Sequence, residues 1–279
     1  MKWDPAEYLR FSDERGRPFM DLLARVPTTA PAYVVDLGCG PGNLTETLAD
    51  RWPRADVVGV DSSADMIRRA RAEHSDETMA RRLTFVEADV RAFLPERPVG
   101  VLVSNATFQW VPGHVELLDD LVAMVRPGGW FAFQVPGNFG EPSHTELAAV
   151  RDSPRWRDRL AGAELAQPWV AEPAVYLERL APYAVSLDVW ETTYVQVLDG
   201  EDAVLRWVRG TALRPVLSEL DEAEQSEFLE DYGARLRVAY PRRAFGTVLP
   251  YRRIFAVAQT AQMAQTAQTA QTAQTAQTP

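Results

Sequence analysis

The chain has 279 residues, 46% of them hydrophobic and 24% charged, a balance that excludes a disordered or fibrous polymer and supplies apolar side chains for a sizeable core. A formal charge of -10 excludes a sequence-independent grip on nucleic acid or anionic lipid, both of which need a basic face, and leaves a small molecule as the expected partner. Cys39, the one cysteine, cannot make an internal disulfide, and the start MKWDPAEYLR lacks the apolar run of a secretory signal, so with no stretch approaching the ~20 apolar residues of a membrane span the chain reads as cytoplasmic.

Between Trp3 and Arg25, the residues Tyr8, Leu9, Phe11, Phe19, Leu22 and Leu23 recur at helical spacing, and Gly16 and Pro18 interrupt them. This pattern predicts two short helices. Next come an apolar strand at Tyr33 to Leu37, a helix at Leu44 to Trp52, and a second strand at Val57 to Val60 that ends on Asp61. Strands this apolar suit a parallel sheet covered on both faces. A helix from Ser63 to about Glu73, strands at Leu83 to Glu87 and Val99 to Ser104, a helix at His114 to Val125, a turn at RPGG (126–129) and a strand at Trp130 to Val135 follow. The alternation predicts an α/β, doubly wound, mostly parallel sheet, whose ligands bind at the carboxyl ends of the strands.

Beyond Gly137 the rhythm changes. The expected organisation is a single domain over 1–258, with a helical cap at 1–30 and a ligand-binding core at 31–137. Lid and substrate insertions take up 138–248, including a returning strand near 185–197, and a last strand spans 249–258. From 259 to 279 the chain repeats Ala-Gln-Thr with almost no large apolar side chain, and a disordered tail is expected there.

The chemistry concentrates in VVDLGCGPGN, Val34 to Asn43. Gly38, Gly40 and Gly42 let the backbone turn sharply and let a ligand approach the start of the next helix. A dinucleotide fingerprint places its third glycine where this chain has Asn43, which disfavours a nicotinamide cofactor. Asp36, at the end of the first strand, would repel a pyrophosphate but suits a ligand carrying an ammonium and a sulfonium, which selects S-adenosylmethionine. Asp61, at the carboxyl end of the second strand, can accept both ribose hydroxyls. An Asp there is also a common helix cap, a task that Ser62 or Ser63 can take instead. Asp89 in FVEADV is a candidate acceptor for the adenine amino group, and Val90 for packing on the ring. Met66 can pack there too, although a helical Met is more often core.

Together DLGCGPGN, VDSSADMI and FVEADVR resemble the class I S-adenosylmethionine-dependent methyltransferases. That resemblance implies a seven-stranded, Rossmann-like methyltransferase sheet with a helical substrate lid, and Ser62 and Asn105 join the cofactor-binding candidates. Further segments, WDPAEYLRFSDERGRP, SNATFQWVPGH, QVPGN, EPSH, ETTYVQVL, TALRPVL and RRIFAVA, are similar to the trans-aconitate 2-methyltransferase family over residues 3 to about 258. Two positions depart from the family's pattern, Gly100 in the fourth strand and Arg252 where proline is expected.

Members of that family esterify one carboxylate of trans-aconitate. A carboxylate is ionised at pH 7 and needs no general base, so alignment in a desolvated pocket is the expected source of rate, with no catalytic side chain and no metal. The substrate's carboxylates call for arginines, whose planar fork matches them. The resemblance points to Arg15, Arg214 and Arg253 as substrate-binding candidates, to Tyr8 and Phe11 as an aromatic lid, and to Gln109 and Trp110 as the floor. His144 and Tyr194 are further contacts, whereas Trp190 is expected in the core. Two competing readings are a methyltransferase for another small acid or natural product and a non-catalytic S-adenosylmethionine-binding regulator. Nothing in the sequence bears on oligomeric state.

Overall fold

The computed structural model describes residues 12–75, 82–163, 170–209 and 212–261. Among these the chain forms two compact units. One takes in Gly16–Val135, Ala171–Glu191 and residues 254–261; the other takes in Pro136–Val170, Thr192–Arg253 and residues 12–15.

The first unit begins in α1 (Ser12–Ala24), which runs through both Gly16 and Pro18 where a break was expected; most of the stretch assigned to the earlier of the two expected helices lies outside the described residues. An internal proline costs a helix about 3 kcal/mol. Phe19, Leu22, Leu23 and Val26 are all buried, and burying each such side chain returns about 1.5–3 kcal/mol, so packing overrides the local break. Then follow β1 (Tyr33–Leu37), α2 (Asn43–Arg51), β2 (Asp56–Asp61), α3 (Ala64–Glu73), β3 (Leu83–Glu87) and β4 (Val99–Asn105). Every residue of β1 is buried, as a strand covered on both faces requires. β1 pairs in parallel with β2 and β4, and β2 with β3.

After α4 (His114–Ala123) comes β5 (Val125–Pro136), and here a second expectation fails. RPGG does not end an element; it lies inside the strand. Val99 pairs with Val125 and Val101 with Trp130, so residues 126–129 stand opposite Gly100 alone, with Gly128 at φ 71. Those residues bulge out of the ladder instead of reversing the chain. α6 (Pro173–Leu180) follows later and packs with α4, where the His114 Nε2 lies 2.8 Å from the Tyr176 hydroxyl. Phe108 stacks on His114, Phe133 meets Tyr176 edge-on, and the two phenylalanines meet each other edge-on.

The sheet runs in the order β3-β2-β1-β4-β5-β8-β6, and the two-residue β7 (Arg242–Arg243) pairs antiparallel with β8. The expected seven-stranded path is therefore present, with one short extra strand. β6 (Ala184–Leu198) and β8 (Gly246–Thr260) are each 15 residues long, longer than their apolar runs suggested. β8 also absorbs the start of the Ala-Gln-Thr segment. Gln259 Nε2 donates to the Gly128 carbonyl at 3.3 Å and the Thr260 hydroxyl to Arg126 at 2.6 Å, so the bulge on β5 supplies carbonyls that fix residues expected to be disordered. The rest of the repeat lies outside the described residues.

The second unit is mainly helical: α5 (Pro142–Arg151), α7 (Ala203–Arg209), α8 (Arg214–Leu217) and α9 (Glu222–Ala239). Its core gathers Leu147, Val150, Trp156, Leu160, Trp207 and Phe228. α9 starts at a capping box in which Asp221 accepts from the Glu224 amide and the Glu224 carboxylate accepts from the Asp221 amide. α5 has no side-chain cap of its own; the amide of Ser143 donates to the Tyr240 hydroxyl at 3.1 Å, and the Tyr232 hydroxyl donates to the Ser143 carbonyl. No helix among the described residues is long and apolar enough to cross a membrane.

Candidate functional site

The carboxyl ends of β1, β2 and β4 bring the glycine loop, Asp61 and Asn105 into one unit. Gly38, Gly40 and Gly42 all have positive φ, at 79°, 55° and 86°. Gly38 must be glycine for space as well as conformation, since a Cβ there would sit 1.9 Å from the Thr107 hydroxyl oxygen. Gly40 differs: a Cβ there would meet no atom of the described residues within 4 Å, so among these residues its backbone is bared. Gly42 is the N-cap of α2 and offers no side chain to its first turn, which starts at the half-buried Asn43. The loop therefore turns on three glycines with positive φ at the start of α2, the conformation that the spacing predicts.

Two carboxylates flank that loop. Asp36 is buried at 2% exposure, and its Oδ2 accepts the Thr45 hydroxyl at 2.7 Å. Burial raises its carboxyl from an ordinary 3.8 to about 7; the Thr45 bond works against the rise and the negative charge of Asp61 adds to it. Asp61 is half-buried, and its Oδ2 accepts from the Gly40 amide at 2.9 Å while Oδ1 accepts from the Ser63 amide at 2.8 Å. It thus ties the end of β2 to the β1 loop. Ser63, not Ser62, is the N-cap of α3, accepting from the Met66 amide. Ser62 is exposed, and Met66 is buried at 8%, its side chain among the core of α3.

Asp89 is occupied locally. Arg91 donates to it from its amide at 2.8 Å and from Nε at 2.9 Å, and these bonds lower its carboxyl to about 2. Val90 beside it is half-buried. Past β4, Ala106 takes a positive φ of 53°, a left-handed conformation that costs a residue with a Cβ roughly 1 kcal/mol. Gln109 is buried and its Nε2 holds the Ala106 carbonyl at 2.5 Å, whereas Trp110 is 47% exposed.

In the second unit, burial pushes His144 down to about 4, so its imidazole is neutral, and its Nδ1 lies 3.2 Å from the Ser143 hydroxyl. Tyr194 is buried at 5%. Arg253 is buried at 6%, with its guanidinium 4.6 Å from the Tyr251 ring centre. Trp190, expected in the core, stacks on Phe255 within the first unit at 4.7 Å. Tyr8 and Phe11 lie outside the described residues, as do the side chains of Arg15 and Arg214.

Sequence reasoning missed Thr45, which steadies Asp36, Thr107, which fills the space over Gly38, and Gln134 of β5, buried at 1%. Gln134 had a readable signal, a lone amide inside the apolar run WFAFQVP. Thr45 and Thr107 had none, because their partners are set by tertiary folding.

Residues 34–129 match a family described as methyltransferase domain. The chain is 50% identical to the trans-aconitate 2-methyltransferase of Streptomyces avermitilis, covering 92% of this chain and 96% of that protein. It is 51% identical to the enzyme of the same name from Streptomyces coelicolor, over 92% and 86% of the two chains. Among solved structures, the YcgJ protein from Bacillus subtilis matches with a TM-score of 0.59 at 9% identity, over 88% of this chain and 99% of that one. The phosphoethanolamine N-methyltransferase 2 of Haemonchus contortus, in complex with S-adenosyl-L-methionine, matches with a TM-score of 0.53 at 14% identity, over 88% and 52%.

Proposed function

This chain belongs to the trans-aconitate 2-methyltransferases, S-adenosylmethionine-dependent enzymes, and on that footing we propose that it forms the monomethyl ester of trans-aconitate. Identity of 50% across 92% of the chain to a relative of nearly the same length carries this reading. Bound S-adenosylmethionine supplies a methyl on a positive sulfur; a carboxylate oxygen of the acid bonds to that carbon as the carbon–sulfur bond breaks, and the electron pair stays on sulfur.

The first unit fits such a cofactor. The bared backbone at Gly40 leaves room for it. The Asp36 carboxyl, raised by burial and further by the charge of Asp61, favours a cationic ligand over a pyrophosphate. We assign Gly38, Gly40, Gly42 and Asn43 to the amino-acid portion and Asp36 to its positive charge. Asp61 takes the ribose hydroxyls, since each carboxylate oxygen holding one amide retains a further lone pair. Ser62, Met66, Asp89, Val90 and Asn105 complete the assignment. For the acid, Gln109 and Trp110 are the proposed contacts past β4, Arg15, Arg214 and Arg253 the proposed cationic partners, and Tyr8, Phe11, His144 and Tyr194 the further contacts that the family's pattern implies. No base is needed, and His144 held neutral at pH 7 offers no proton to the leaving sulfur.

Incubating the protein with methyl-labelled S-adenosylmethionine and trans-aconitate tests the reading. A base-labile labelled ester is expected. Label that stays in the cofactor with this acid but moves to another acceptor would replace the substrate, and a protein that binds S-adenosylhomocysteine yet labels no acid in a screen would be a regulator.

A further inference from the structure

We propose that Gln134 is a positioning residue that acts through Asn105, turning its carboxamide so that the NH2 faces a ligand carboxylate; this rests on the methyltransferase reading above. The two residues are register partners on the parallel strands β4 and β5. Gln134, buried at 1%, donates from Nε2 to Asn105 Oδ1 at 2.5 Å. An amide has one oxygen and one NH2 at its two ends. Committing the oxygen inward therefore leaves Nδ2 as the outward group. No acceptor among the described residues takes that Nδ2, and Asn105 is half-buried at the carboxyl end of its strand, where ligands of doubly wound sheets bind. That donor is open to an acceptor on a ligand at the strand end.

Gln134 acts on the same turn a second time. Its backbone carbonyl accepts from the Ala106 amide at 2.9 Å, and Gln109 holds the Ala106 carbonyl from the other side. The left-handed Ala106, at φ 53°, is thus held by contacts on both faces, the circumstance in which local strain persists at functional sites. Replacing the Gln134 side chain leaves its carbonyl in place. The strained turn should survive while the orientation of Asn105 is released.

Two carboxylates could receive the donor, that of the amino-acid end of the cofactor and that of the acid being methylated. A double-mutant cycle on Gln134→Met and Asn105→Ala separates them. Each of the four proteins is titrated with S-adenosylhomocysteine by calorimetry and assayed for kcat and KM with trans-aconitate, well below its melting temperature. Each single variant should lose about 10-fold in one readout, the size of one hydrogen bond to a charged group, and the double variant should be no worse than Asn105→Ala alone. Coupling in S-adenosylhomocysteine affinity assigns the cofactor's carboxylate; coupling confined to kcat/KM for the acid assigns the substrate's. Losses that multiply, or a Gln134→Met protein with wild-type constants, would overturn the proposal. Should Gln134→Met not fold, Gln134→Leu runs the same cycle. A wild-type protein inactive on trans-aconitate would sink the substrate reading alone, because the cycle on S-adenosylhomocysteine affinity still decides the role of Gln134.

Discussion

Replacing Asp36 with Asn should abolish a pH dependence of stability that the wild-type chain carries in its glycine loop. Burial moves the carboxyl from 3.8 to about 7 in the folded state, so between those values the folded protein holds a proton that the unfolded chain has released. Stability is therefore full below about pH 4, falls as the pH rises through this window, and levels off above about 7. At about 1.4 kcal/mol per pH unit, the loss by pH 8.5 is on the order of 4 kcal/mol. The Asn oxygen can still accept the Thr45 hydroxyl, and any penalty for burying the amide is the same at every pH. That constant cancels when the two proteins are compared across pH. A chain of this size shifts its melting temperature about 2 °C per kcal/mol, so the melting temperature of Asp36→Asn relative to wild type should climb by about 8 °C between pH 4 and pH 8.5. Scanning calorimetry or fluorimetry at half-unit steps measures this. A difference that stays flat across the range would refute the reasoning, because it would mean that Asp36 is ionised in the fold without penalty.

Other expectations follow from single contacts. Asp61→Ala removes the acceptor of both the Gly40 and Ser63 amides along with the proposed ribose contact; S-adenosylhomocysteine affinity should drop at least 10-fold by calorimetry, and unchanged affinity would refute the ribose assignment. Gly40→Ala should fold with a loss of about 1 kcal/mol for its positive φ, since the protein leaves room there, yet bind the same ligand more than 10-fold more weakly. Equal affinity would place the ligand elsewhere. Gly38→Ala, whose new carbon would strike Thr107, should instead lower the melting temperature sharply. Tyr240→Phe strands the amide of Ser143 at the start of α5, and urea unfolding should show a loss of about 1–2 kcal/mol.

Buried parallel strands were the most legible elements. β1 falls on the residues that its apolar run marks, because a strand covered on both faces is buried throughout and Asp36 is its one charged residue; β3 also falls on its marked residues, although only Leu83 and Phe85 of it are buried. Helix breaks read less well. Pro18 and Gly16 carry a strong local signal, but Phe19, Leu22 and Leu23 settle the matter through burial that no window of sequence contains. The RPGG segment misled in the same way, since a bulge and a turn use the same residues and only the partner strand distinguishes them. At the candidate site, Asp36, Asp61 and the glycines were legible because charge and φ preference are properties of single residues. The contacts that steady them were not: Asp89 pairs with Arg91 two residues on, whereas Thr45, Thr107 and Gln134 take partners across strands and loops.

The strand order has a consequence for biosynthesis. β8, made last, lies between β5 and β6, both of which leave the ribosome earlier. Until residues 246–260 emerge, β5 has one open edge and β6 has no neighbour on the side that joins it to the sheet. β6 exposes Val185, Val195 and Val197 even in the finished fold, so the nascent chain carries an unpaired, valine-rich edge of the kind that recruits other chains. Its solubility during synthesis then depends on how quickly the final strand arrives, and a ribosome stalled before residue 246 should yield aggregation where one stalled well past residue 261 does not.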